Sequence, residues 1–311
     1  MKTENKLSTI FGLFLVIMAA VSINVSAMPG DVNGDGTITM SDANAVVNYF
    51  LATTKPNDFD MTAGDVNGDG SITMSDANQI VNMFLSGNTG DPANGHEYVD
   101  LGLSVKWATC NVGAEHPQDY GDHFAWGETK PKSDYSWETY KYGEGSNTVT
   151  KYNDNESYGT VDKKRKLDPS DDAARAYLGG AWRMPTYDEQ RELYTGCYWE
   201  WTDNYNNTNV KGFIVYKVDE ANSSDKGKRK NKNGGYTPSG RYSPAGNVHI
   251  FLPAAGWRSN SSIYDVGLSG HYLSATLHST YTAERFYFRS TGVTMNNCSR
   301  NLGHSVRAVL P

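Results

Sequence analysis

A 22-residue unit occurs twice, 34 residues apart, and it constrains the N-terminal part of this chain more tightly than any other feature. Gly30 to Leu51 reads GDVNGDGTITMSDANAVVNYFL, and Gly64 to Leu85 reads GDVNGDGSITMSDANQIVNMFL. The copies differ only at positions 37, 45, 46 and 49 of the first. Each opens on an acidic loop. Calcium takes six to eight oxygen ligands, which a 12-residue loop supplies from its positions 1, 3, 5, 7, 9 and 12. Those positions hold Asp31, Asn33, Asp35, Thr37, Thr39 and Asp42, then Asp65, Asn67, Asp69, Ser71, Thr73 and Asp76. Position 7 is expected to offer its backbone carbonyl, and position 9 to act through water. Gly36 and Gly70 fall at position 6, where the turn needs positive φ. Two Ca2+ ions, one per loop, are the expected cofactors. Position 12 is Asp where the common EF-hand has Glu, so the following helix must sit closer to the ion.

Behind each loop, apolar residues recur at helical spacing: Ala43, Val46, Val47, Phe50 and Leu51, then Ala77, Ile80, Val81, Phe84 and Leu85. Neither helix buries such a stripe alone, so the copies are expected to pack on each other. Ile38 and Ile72, at position 8, are expected to pair the two loops and bury their side chains. Only Met28, Pro29 and Gly30 separate an expected cleavage site from Asp31, so the copies read as loop–helix halves. The pattern resembles the type I dockerin family over residues 28–87. That resemblance implies a small all-α calcium-binding module that binds a cohesin on a cellulosome-type scaffold, mounting secreted, usually polysaccharide-degrading proteins there. It places partner recognition at loop positions 10 and 11, here Met40, Ser41, Met74 and Ser75. The duplication suggests two equivalent binding orientations.

Residues 1–27 read as a signal peptide, with Lys2 and Lys6 before an apolar run from Ile10 to Val21 and small residues Val25 and Ala27 before the cut. The mature protein is therefore expected to be secreted, without a membrane span. A formal charge of −7 disfavours nucleic acid as a partner. Secretion permits a disulfide among Cys110, Cys197 and Cys298, with one thiol left over and the pairing open. No C-x-x-C pattern supports structural zinc.

The stretch Ser86 to His96 is rich in Gly, Asn and Ser and places a linker at 88–96. Beyond it the sequence turns aromatic. A strand pair is expected within Tyr98–Ala108, and short helices over Asp171–Leu178, ended by Gly179 and Gly180, and Thr186–Tyr194, where Thr186 and Glu189 form a capping box. Strands are expected at Phe213–Val218, Val248–Leu252, Arg285–Arg289 and Ser305–Val309, making residues 97–311 α+β. The segments YVDLGLSVKWATCNVGA (98–114), YGDHFAWGETK (120–130), WRMPTYDEQREL (182–193), LPAAGWR (252–258) and GHSVRAV (303–309) resemble the FISUMP, or major paralogous domain, family of secreted bacterial proteins. That resemblance implies a C-type-lectin-like fold whose terminal strands pair and whose long loops form a binding face, making the whole chain multidomain.

Three clusters in this region have a bland reading and a functional one. Asp188, Glu189 and Glu192 suit acid–base work, but also a helix N-terminus complementing its dipole, which is favoured. The run Lys226, Lys228, Arg229, Lys230 and Lys232 suits an anionic glycan, but more often a solvated loop. His249, His271, His278 and His304 lack metal-ligand spacing. The stretch His271 to Asn301 has the Tyr, Asn, Ser and Arg content of adaptable recognition surfaces. It nominates Tyr272, His278, Tyr281, Arg285, Asn296, Asn297, Arg300 and Asn301 as contacts to a glycan or protein ligand. No catalytic residues are nominated. The expected function is a calcium-binding dockerin protein that docks on a cohesin-bearing scaffold and presents a lectin-like domain. The alternatives are a dockerin-borne hydrolase of O-glycosyl bonds, which would need two flanking carboxylates, or a structural or adhesive surface protein.

Overall fold

The computed structural model describes residues 28–35, 38–52, 59–85, 93, 96–143 and 148–311. The expected signal peptide and most of the expected linker lie outside them. The chain divides into two compact units, 1–90 and 91–311. Among the described residues no helix is long and apolar enough to cross a membrane.

The first unit is helical. Helices α1 (Met40–Leu51) and α3 (Met74–Leu85) follow the two loops, and one turn, α2 (Met61–Gly64), precedes the second loop. That turn departs from the loop–helix reading. It forms because the Asp60 carboxylate accepts from the Thr62 and Ala63 amides at 2.8 and 3.0 Å, capping orphan donors at its start. Ala43, Val46, Ala77 and Ile80 are buried between α1 and α3. Ile38 and Ile72 join the same cluster, Ile38 fully buried and Ile72 partly. Among the described residues no β-bridge joins them. The stripe does not stay buried to its end, because Phe50 and Leu51 in α1 and Phe84 in α3 are exposed. The copies differ where their neighbours differ: Tyr49 stacks on Phe59 at 4.1 Å, whereas a side chain at Gly30 would strike the Met83 sulfur at 3.3 Å.

The second unit is β-rich. In chain order it contains β1 (Tyr98–Val99), β2 (Lys106–Ala108), α4 (Ala173–Leu178), α5 (Tyr187–Gly196), β3 (Tyr198–Tyr205), β4 (Val210–Tyr216), β5 (Arg229–Asn231) and β6 (Gly234–Gly235). There follow β7 (His249–Pro253), β8 (Trp257–Ser259), β9 (Ser262–Tyr264), β10 (Ser269–Ser279), β11 (Thr282–Arg289), β12 (Gly292–Ser299) and β13 (Val309–Leu310). Strand β2 lies between β1 and β13, antiparallel to both, so the two ends of the unit meet in one small sheet. A five-stranded sheet has the order β6-β5-β3-β4-β7 and a three-stranded one the order β10-β11-β12.

These two larger sheets bury one another. Trp199, Trp201, Phe213, Ile250 and Leu252 from the first meet Tyr272, Phe286 and Phe288 from the second. Edge-to-face rings lock the contact: Trp199–Phe286 at 6.0 Å and Phe213–Phe288 at 5.4 Å. Gly270 is required there, because a Cβ would come within 2.1 Å of the Phe288 ring. A second core, around Trp126, Trp182 and Leu273, fills the opposite side of β10. The expected strand at Ser305–Val309 shrinks to β13. Upstream of it the Arg307 guanidinium turns inward and bonds the carbonyls of Ala108, Thr109 and Phe251.

Candidate functional site

The two acidic loops are built alike. In the first, Thr39 caps α1 and Asp42 closes a capping box with it. The Asp42 carboxylate is fully buried and stitches the loop's ends together. Its Oδ1 accepts from the Val32 amide at 3.0 Å, and its Oδ2 from the Thr39 amide at 2.9 Å and hydroxyl at 3.1 Å. Asp76, equally buried, accepts from the Asn67 amide at 3.3 Å and from the Thr73 amide and hydroxyl at 2.9 and 3.1 Å. Positions 1 and 3 turn inward. The Asp35 amide donates to Asp31 Oδ1 at 3.1 Å and Asn33 Oδ1 at 2.9 Å, and the Asp69 amide donates to Asp65 Oδ1 at 3.1 Å and Asn67 Oδ1 at 2.8 Å.

The sequence reading missed two parts of this geometry. Gly34 and Gly68, at position 4, take φ of +69° and +71°, so each loop needs glycine there besides position 6. The other is the Thr-x-x-Asp spacing of positions 9 and 12, a helix-start signal present in both copies that was not expected as one. Gly70 at position 6 has φ +86°, whereas Gly36 and the position-7 residue Thr37 lie outside the described residues. Ser71 is described, exposed, with its amide donating to Asp69 Oδ1 at 2.9 Å.

Every donor the loops offer is a carboxylate, amide, hydroxyl or carbonyl oxygen, and none is sulfur or imidazole. That set suits a hard cation such as calcium. Among the described residues no three Asp, Glu, His or Cys side chains converge to metal-binding geometry. Met40 and Met74 sit beside the loops at matching positions, 41% and 42% exposed, each followed by an exposed serine, Ser41 or Ser75.

In the second unit the nominated ligand contacts separate. Arg285 and Asn296 face each other across β11 and β12, with Nε donating to Oδ1 at 3.1 Å. Arg285 also donates to His271 Nδ1, so the ring's Nε2 carries the proton toward the Ser269 hydroxyl, 2.9 Å away. His278 is exposed and bonds Glu284 at 2.7 Å, Asn297 is exposed on β12, and Tyr281 packs between Trp137 and Tyr158. Tyr272, Arg300 and Asn301 are corrections to the expected face, because all three are buried. The Tyr272 hydroxyl donates to the Pro253 carbonyl at 2.9 Å, and Asn301 to the Tyr135 carbonyl at 2.7 Å. The Arg300 guanidinium spends its donors on Tyr140 and on the carbonyls of Thr280 and Lys151.

The acids of α5 are engaged in holding the fold. Glu189 completes the capping box with Thr186 and clamps Arg183 at 2.6 and 2.8 Å. Glu192 accepts from the Ser104 amide at 2.9 Å, and Asp188 is exposed. Within the lysine run, Lys230 pairs with Glu200 at 2.6 Å and Lys232 with Asp203 at 2.9 Å. All three cysteines are free thiols.

Residues 29–85 match the family model described as the dockerin type I domain. No curated protein and no solved structure matches the chain.

Proposed function

We propose that residues 28–87 form a calcium-dependent docking module that seats the secreted chain on a cohesin-bearing scaffold, with residues 97–311 as its non-catalytic cargo. The observation that carries this reading is the repetition of one arrangement: a buried position-12 carboxylate bonding the same loop backbone, with an exposed Met-Ser pair beside it, in both copies. Asp31, Asn33, Asp35, Thr37, Thr39 and Asp42 would hold one Ca2+, and Asp65, Asn67, Asp69, Ser71, Thr73 and Asp76 the other. The ion supplies charge neutralisation and fixes each loop against its helix, so binding free energy becomes folding free energy. Met40, Ser41, Met74 and Ser75 would meet the cohesin, in either of two orientations.

For residues 97–311 we propose a C-type-lectin-like domain that binds a glycan or protein ligand, in a polysaccharide-degrading context. Pairing of the unit's first and last strands supports that fold reading. His278, Tyr281, Arg285, Asn296 and Asn297 remain as its ligand contacts. The test of docking is capture of the full chain by a panel of immobilised cohesins. Binding to at least one member in calcium, abolished by chelator, is expected; no binding to any, or binding unaffected by chelator, contradicts it.

A further inference from the structure

The second unit holds a cavity of about 480 Å3 lined by Asp122, His123, Lys132, Ser133, Tyr135 and Arg258. Its walls are fixed. Arg258 is anchored by paired backbone bonds to Gly303, at 2.8 and 2.9 Å. The buried Tyr135 hydroxyl donates to the His123 carbonyl at 2.6 Å and accepts from the Lys132 amide at 3.3 Å. Lys132 is already neutralised by Glu128, 2.8 Å away. Two charges on the cavity are not. Among the described residues, neither the Asp122 carboxylate nor the Arg258 guanidinium has a hydrogen-bond or ion-pair partner, and they do not pair with each other. Burial raises the acid's pKa against the lowering pull of Arg258, a sign that the carboxylate is poorly solvated where it stands.

His123 adds a third polar group. Burial and the neighbouring Arg258 hold its pKa down to about 4, so the ring is neutral at pH 7. A carbonyl can only accept, so Nε2 donates to the Ala255 oxygen at 3.2 Å and Nδ1 is the ring's acceptor. The cavity therefore offers a guanidinium fork beside a carboxylate and a neutral imidazole. An Arg fork matches a carboxylate in bidentate fashion, and an ammonium brings three donors for the acceptors.

We propose that this cavity binds a free α-amino acid, its carboxylate on Arg258 and its ammonium on Asp122 and His123. The zwitterion neutralises both unpaired charges without adding net charge, and the cavity has the size of an ordinary small-ligand site. The test is calorimetric titration of the full chain with glycine, alanine, glutamate, lysine and phenylalanine. Acetate, methylammonium and glucose serve as controls. At least one amino acid is expected to bind, with Arg258→Gln and Asp122→Asn each weakening it by about tenfold or more, at unchanged melting temperature. Asp122→Asn keeps the side chain's shape, so it tests charge even if the arginine variant unfolds. Absence of binding by every amino acid, equal binding of glucose or acetate, or indifference to Asp122→Asn overturns the proposal.

Discussion

Arg300 is fully buried and forms no ion pair among the described residues; its charge is met instead by the Tyr140 hydroxyl, by the Thr280 carbonyl at 2.8 Å and by the Lys151 carbonyl at 2.9 Å, under the Trp126 ring. Composition alone suggested a ligand contact, because a sequence shows that an Arg is present but not which carbonyls the fold turns toward it. Arg300→Met leaves those acceptors buried and unmet, so urea unfolding should show a loss of about 3 kcal/mol. A loss below about 1 kcal/mol would return Arg300 to the surface. The cysteines divide the same way. Burial pushes the Cys197 and Cys298 thiols up to about 12, whereas Cys110 is only half-buried. Mass spectrometry after native alkylation should find modification at Cys110 alone.

At the scale of elements, the helices other than α2 were legible and more than half of the strands were not. Helices α1, α4 and α5 begin at side chains whose caps are local, such as Thr186 with Glu189, so a few neighbouring residues specify them. Strand β10 is buried on both faces over most of its length, yet Leu273, Ala275 and Leu277 alternate with Ser274, Thr276 and His278, a period-2 signal that the sequence carried and the expected strands left out. The acidic loops were legible because each is built from one short stretch of chain whose hydrogen bonds are local. The cavity lined by Asp122 and Arg258 was not, because those residues meet only through the fold. The α1–α3 pair carries its own prediction. Ile80 is fully buried between the helices, so Ile80→Ala should cost about 2–5 kcal/mol in the first unit's unfolding. If both Met-Ser pairs serve as docking surfaces, changing Met40 and Ser41 alone should leave cohesin capture largely intact, and changing Met74 and Ser75 as well should abolish it. Loss of capture from the first pair alone would refute the two-orientation reading.

For the molecule as a whole, the two units answer to different conditions. The second holds three buried histidines neutral. Burial with Arg258 brings His123 to about 4, burial with Arg285 and Arg289 brings His271 to about 2, and burial with Arg285 carries His304 well below the ordinary value. These folded-state values lie below the unfolded one, so the unfolded chain takes up protons first as pH falls through about 6.5. Stability is therefore full above that pH and drops by about 1.4 kcal/mol per pH unit for each ring that stays neutral. His123 ceases to contribute near pH 4. Asp225 adds to the decline at lower pH. Burial raises its pKa, but the Ser239 and Gly240 amides and the Tyr242 and Tyr236 hydroxyls outweigh that and bring it to about 2. Its contribution is present above the unfolded value of about 4 and lost as pH falls toward 2. The second unit's denaturant midpoint should drop between pH 7 and pH 5; an unchanged midpoint would contradict the buried, neutral assignment. The first unit should answer to calcium instead, since its six loop carboxylates crowd into two small turns. Calorimetric titration of the metal-stripped full chain with Ca2+ tests this most directly. The expected result is two ions bound per chain, with one lost in a variant carrying Asp31→Ala and Asp35→Ala together, and chelator collapsing the helical signal of α1 and α3. No calcium uptake, or uptake that leaves those helices unchanged on removal, would contradict it.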